Sequence, residues 1–173
     1  MKIAITILFI TLTIILLHWY LKQPIHHKIK RLQIKKYVDD FLLQLGNGAI
    51  LIINHKKSNK FIQFAKYIDN NITNLTFGFP NAPWSKSYYP KVISVLKEKG
   101  YTIEEENINT EPVTSFIRID FIKNSDEATK IAYLALDIME INPDEELSAT
   151  LQGPFDENYV SKLKEQIHKK RAA

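Results

Sequence analysis

Val113-Thr114-Ser115-Phe116-Ile117-Arg118-Ile119-Asp120-Phe121-Ile122 decides the fold. Its alternate positions Val113, Ser115, Ile117, Ile119 and Phe121 share one face, and Arg118 and Asp120 fall on the other. That period of two belongs to a β-strand with one buried face. Downstream, Asn124 and Glu127 have the spacing of a capping box. They open a helix with apolar positions Ala128, Ile131, Ala132, Ala135, Ile138 and Met139, ending before Pro143. Upstream, Tyr101 to Glu105 reads as a short polar edge strand. Tyr89, Val92, Ile93 and Leu96 mark a helix closed by Gly100.

Further upstream the period changes. Ile34, Tyr37, Val38, Phe41, Leu42 and Leu45 make one helical face, stopped by Gly46 and Gly48. Ala49–Ile53 and Phe61–Tyr67 are two apolar runs joined by the polar stretch His55 to Asn59, a hairpin. Leu75, Phe77 and Phe79 alternate with Thr76 and Gly78 as a third strand. After the polar loop from Asp144 to Gly153, Asp156 caps a last helix carrying Tyr159, Val160, Leu163 and Ile167. The expected fold is α+β: a five-stranded, mainly antiparallel sheet with helices on one face, in the order αβββαββα plus a terminal helix.

Ahead of this domain, Ile3 to Leu21 carries no charged side chain and is dense in Ile and Leu. As a helix it would run about 28 Å, against a bilayer core of about 30 Å. His18, Trp19 and Tyr20 stand at one end, where amphipathic rings favour the membrane interface. After Leu17 no small-residue cleavage pattern follows. The expected organisation is therefore a transmembrane anchor at 1–22, a basic linker at 23–30 and an α+β protein-binding domain at 31–173. The expected location is a bacterial-type inner membrane, crossed once. Lys22, Lys28, Lys30, Arg31, Lys35 and Lys36 follow the segment and only Lys2 precedes it, which places the domain in the cytoplasm; a periplasmic domain behind a signal anchor is the alternative.

The formal charge of +4 comes from the flanks. Residues 37–160 hold 11 bases against 18 acids, a net of −7, so the folded part repels a phosphate backbone and nucleic acid is not an expected partner. With no cysteine there is no disulfide, thiolate metal site or cysteine nucleophile.

The element order resembles that of type III secretion chaperones and the related YbjN-like domains. Within it, Asn59-Lys60-Phe61-Ile62-Gln63-Phe64, followed by Leu75 and the Phe79-Pro80 pair, looks like the second and third strands of such domains. The resemblance covers about residues 31–140. It implies a small domain that binds another polypeptide, often as a homodimer, without catalysis.

A search for catalytic chemistry finds little. The histidines His18, His26, His27, His55 and His168 show no H-x-x-x-H spacing, and there is no G-x-x-x-x-G-K or G-x-S-x-G. His26-His27 is a solvated pair or a surface metal contact. Glu104 to Glu106 and Asp144 to Glu146 are solvated charge runs or cation sites, and Arg118 with Asp120 is a solvent face or one wall of a polar pocket. No cofactor and no metal is expected.

The stretch Phe79-Pro80-Asn81-Ala82-Pro83-Trp84-Ser85-Lys86-Ser87-Tyr88-Tyr89-Pro90 combines large rings with stiff backbone, as interface hot spots do. Phe79, Trp84, Tyr88 and Tyr89 are therefore the candidate partner-binding residues; the alternative is that Trp84 and Tyr89 fold back to plug the core. The functional expectation is a membrane-anchored, non-catalytic protein-binding module. Its partner would be a toxin, for an immunity protein, or a secretion-system component, for a chaperone-like adaptor. A hydrolase with an unrecognised site and a structural subunit of an envelope complex are the alternatives.

Overall fold

The computed structural model describes residues 25–110 and 113–162. The described chain folds as one antiparallel sheet of seven strands with three helices on one side. The strands are β1 (Ile25–Ile29), β2 (Ile50–His55), β3 (Lys60–Asp69), β4 (Ile72–Asn81), β5 (Glu104–Thr110), β6 (Val113–Ile122) and β7 (Leu147–Gln152). The helices are α1 (Ile34–Gln44), α2 (Tyr89–Glu98) and α3 (Ser125–Ile138). Across the sheet the order is β1-β7-β2-β3-β4-β6-β5.

Period-two patterning divides the sheet's faces. Leu51 and Ile53, Ile62 and Phe64, Leu75, Phe77 and Phe79, and Ile117, Ile119 and Phe121 all point to one core. Against them α1 sets Ile34, Val38 and Phe41, and α2 sets Tyr89, Val92 and Leu96. Helix α3 is rich in small buried residues, Ala128, Ala132 and Ala135, which let it lie close upon β4 and α1. Asn124 caps α3 by accepting the Glu127 amide at 3.1 Å. Gly100 ends α2 in the left-handed region at φ +84°, and Tyr101 N donates to Leu96 O at 3.1 Å to close the helix.

The expected α+β class and the antiparallel pairing hold, but the five-stranded sheet does not, because two strands were hidden. Residues 25–29, expected within a basic linker, form β1, an edge strand paired with β7. Only Ile29 of β1 is buried, so its sequence carries almost no hydrophobic signal. β7 lies in the expected polar loop and sits between β1 and β2. Its apolar positions Leu147, Ala149 and Leu151 alternate with Ser148 and Thr150, directly after an acidic run. The expected edge strand at Tyr101 to Glu105 is displaced to Glu104–Thr110, with Tyr101 and Ile103 packed against the core.

The expected transmembrane helix is not supported. No helix among the described residues is long and apolar enough to cross a membrane. Residues 3–21, on which that expectation and the single-pass inner-membrane location rested, lie outside the described residues, and so do Leu163, Ile167 and His168. The last helix begins at residue 157, where Asp156 Oδ1 accepts the amides of Asn158 and Tyr159 at 3.0 and 3.1 Å, and it is described as far as residue 162.

The late strands impose one tight fit. Gly153 leaves β7 at φ +129°, and a Cβ there would meet Ala49 Cα at 2.6 Å. Gly78 is also close-packed, but its nearest atom is Gln63 Cγ at 2.9 Å, part of a movable side chain. Gly153→Ala should therefore cost about 2 to 4 kcal/mol and Gly78→Ala clearly less; urea unfolding of the two variants checks the order.

Candidate functional site

The four candidate rings converge at one end of the sheet, but they are held there by packing. Phe79 is fully buried and Tyr89 is 7% exposed. The Tyr89 hydroxyl donates to Glu105 at 3.0 Å, and Ser115 Oγ donates to the same carboxylate at 3.1 Å. Burial, and secondarily Glu105, pushes the Tyr89 phenol up to about 12. Trp84 is half-buried with its ring 5.7 Å from Phe61 and 5.9 Å from Phe79. The loop beneath it is pinned by Ser85, whose Oγ accepts from Ala82 N at 2.8 Å and donates to Pro80 O at 2.7 Å. Tyr88 lies under Lys60, whose Nζ is 4.5 Å from the ring centre and 2.9 Å from the hydroxyl. The same ammonium bonds Met139 O at 2.9 Å, just past the C-terminus of α3, where the helix dipole favours a cation.

The opposite end of the sheet is different. On the face turned away from the helices, Tyr67, Asn74 and Ile122 lie side by side across β3, β4 and β6. Ile72 follows on the same face of β4. Tyr67 is 43% exposed, Ile72 50% and Ile122 72%. Arg118 stacks over the Tyr67 ring at 5.5 Å and reaches Glu106 at 3.2 Å. Asp120 accepts from Thr76 Oγ1 on the same face. Arg118 and Asp120 also line a cleft of about 320 Å³ with Glu104 and Glu127.

Around the corner, on the helix side, a cleft of about 450 Å³ opens between α1, the start of α3 and the last helix. Its floor is Lys66, whose side chain is 3% exposed. The ammonium donates to Leu42 O at 2.7 Å and Leu45 O at 2.5 Å, satisfying carbonyls at the end of α1. Asp156 stands 3.9 Å away. Burial holds the Lys66 amine below the usual lysine value; Asp156 opposes that shift and Lys123 adds to it. Lys66 and the exposed row of Tyr67, Ile72 and Ile122 are not marked by the sequence, because Lys66, Tyr67 and Ile122 lie inside stretches that read simply as strands, and Ile72 precedes the stretch from Leu75 that reads as the third strand, although β4 begins with it.

A third constellation joins the β2–β3 turn to the segment before β7. His55 Nδ1 lies 2.7 Å from Ser58 Oγ. His55 Nε2 lies 2.9 Å from Glu145 Oε2, off the angle of a hydrogen bond. The order Ser-His-Glu matches an acyl-transfer triad, yet Ser58 sits in a tight turn where its amide bonds His55 O at 3.2 Å. Among the described residues no three His, Asp or Glu side chains are placed to hold a metal ion. That includes the runs at Glu104 to Glu106 and Asp144 to Glu146. No protein-family model matches this chain, and no curated protein or solved structure matches it either.

Two measurements test these assignments. Trp84→Ala should lower stability by about 2 to 4 kcal/mol in thermal unfolding, because the ring fills space between Phe61 and Phe79. For Lys66 the sign follows from proton linkage. Its folded value lies below the unfolded one, so the unfolded chain binds more protons in between, and stability rises as pH climbs through that window. The urea midpoint of the protein relative to Lys66→Met should thus increase from pH 7 toward the ordinary lysine range, about 10.4. A difference that stays flat would mean that Lys66 titrates normally.

Proposed function

We propose that this protein is a non-catalytic module that binds another protein, of the immunity or chaperone-adaptor kind. The observation that carries the reading is the run of Tyr67, Ile72 and Ile122. Among the described residues, these three large apolar side chains lie exposed together on one face at one end of the sheet. Keeping them in water is unfavourable, and burying each against a partner contributes roughly 1.5 to 3 kcal/mol before association costs. Arg118 lying over Tyr67, with Asp120 beside it, supplies a polar rim of the type that sets orientation in protein interfaces. Trp84 and Tyr88, half-buried at the far end, fit a smaller role in such contacts than a fully open loop would give them.

The enzyme alternative rests on Ser58, His55 and Glu145. A fluorophosphonate probe that labels Ser58, with labelling lost in His55→Ala, would support it. The turn geometry and the off-angle Glu145 contact favour a structural staple instead.

A photo-crosslinking residue in place of Ile122 in the full chain should trap a defined partner that the same residue at Glu98, on α2, does not. With that partner purified, Ile122→Asp and Tyr67→Ala should each weaken binding by roughly 1 to 4 kcal/mol and leave the unfolding midpoint nearly unchanged. Unaltered affinity in both variants would defeat the reading. So would a turnover abolished by His55→Ala with folding and binding intact.

A further inference from the structure

The cleft above Lys66 adjoins the exposed apolar run without a break. Ile72 is followed by Thr73, and Ile122 by Lys123; the first residue of each pair lies on the open face and the second lines the cleft. A polypeptide lying across Tyr67, Ile72 and Ile122 therefore reaches the cleft by turning over a single sheet end.

The chemistry of the cleft is cationic with apolar walls. Lys66, Lys123 and Lys162 line it, together with Leu42, Leu43 and Tyr159. Of its two acids, Asp39 is fully engaged and Asp156 is engaged through Oδ1, with Oδ2 turned toward Lys66 at 3.9 Å. Asp39 is held by Lys35 at 2.6 Å and by Ser125 Oγ at 2.6 Å. Asp156 spends one oxygen on the amides of Asn158 and Tyr159. Lys123 and Lys162 are exposed and make no ion pair with a described residue. Lys66 has three donors and gives two to main-chain carbonyls; at 3.9 Å Asp156 is too distant to take the third as a hydrogen bond. A buried ammonium with one donor open toward a cleft is set to receive an acceptor, and a negative one most favourably.

We propose that this cleft receives a carboxylate of the partner polypeptide, an Asp or Glu side chain or a chain terminus, flanked by an apolar residue that rests on Leu43 and Tyr159. The inference rests on the protein-binding reading above and names the chemistry of the segment bound. Separate lysines act as point charges suited to a lone carboxylate, and no arginine fork for a phosphate lines the cleft. Leu43, 62% exposed on α1, gives the apolar neighbour a place to pack. The net −7 of residues 37–160 disfavours a polyanionic nucleic acid over a short acidic segment.

Fluorescence anisotropy on the full chain tests this with a labelled alternating Leu-Glu peptide, its Leu-Gln counterpart and a labelled oligothymidylate. The Leu-Glu peptide should bind, weaken with added salt, and bind about tenfold or more tightly than Leu-Gln. The doubly substituted Lys123→Glu, Lys162→Glu protein should lose that preference with an unchanged unfolding midpoint, since both side chains are exposed. Equal binding of the two peptides, or indifference to the two lysines, overturns the proposal, as does tighter binding of the oligothymidylate. If the crosslinked partner is lost by Ile122→Asp but not by the lysine changes, the cleft assignment falls and the protein-binding reading stands. If neither affects the partner, both fall.

Discussion

The buried ammonium of Lys66 is the interaction on which the arrangement at this end of the molecule depends. It sits on β3 at a position in phase with the core residues Ile62 and Phe64, where the sheet pattern calls for an apolar side chain. Its head instead meets the end of α1, where unpaired carbonyls carry the negative end of the helix dipole. The backbone of the same residue bonds Gly48 and Ala49 at 2.8 and 3.0 Å, fixing the turn between α1 and β2. Asp156, within 3.9 Å, caps the last helix, and its own amide bonds Gln44 O at 2.8 Å. One lysine thereby ties a strand, the end of one helix and the start of another. Replacing the side chain by an apolar one would leave two helix-end carbonyls short of a donor, each costing about 1 to 3 kcal/mol when buried.

Which elements were legible in the sequence follows from how each buries its side chains. Helices α1, α2 and α3 were legible because each buries a continuous stripe at helical spacing, and α3 adds the Asn124 cap. Strands β2, β3, β4 and β6 were legible because their inward positions are large and apolar. β1 was not, because it completes the sheet at its edge, where hydrogen bonds to a neighbour matter more than burial; β7, an interior strand with Leu147 and Ala149 in the core, was not, because it follows directly on an acidic run and its inward residues are few. Ile25, His26, His27 and Lys28 stay exposed while pairing with β7. Backbone pairing leaves no mark on side-chain identity, so a strand held mainly by it reads as a linker. In β7 the spacing of Leu147, Ala149 and Leu151 was the available signal, weakened by a small central residue.

The proline-aromatic loop shows the converse limit. Its composition suits an interface and a core equally, because both reward large rigid rings. What separates the two is the partner each polar group finds inside the fold. Tyr89 spends its hydroxyl on Glu105, Tyr88 is held by Lys60, and Ser85 closes the loop on itself. The hydroxyls so engaged are satisfied within the chain, while Trp84 and Tyr88 keep part of their rings exposed. Such engagement depends on residues distant in sequence, and no local pattern reports it.

The two ends of the sheet therefore solve opposite problems with the same kinds of residue. At the loop end a lysine, Lys60, is consumed by Met139 O and the Tyr88 ring, and the aromatic groups turn inward. At the other end Lys66 is consumed only in part, Lys123 and Lys162 project outward, and Tyr67, Ile72 and Ile122 stay in water. Folding alone does not call for that second arrangement. Exposed isoleucines gain nothing in the isolated chain, and like-charged lysines around one cleft repel one another, the repulsion from Lys123 already helping to depress the Lys66 amine. Both costs are relieved by one kind of contact, a partner surface that is apolar over the open face and negative over the cleft. The pairing of these two unsatisfied features across the same two residue steps, Ile72 to Thr73 and Ile122 to Lys123, is what makes this end of the molecule the place to look for its function.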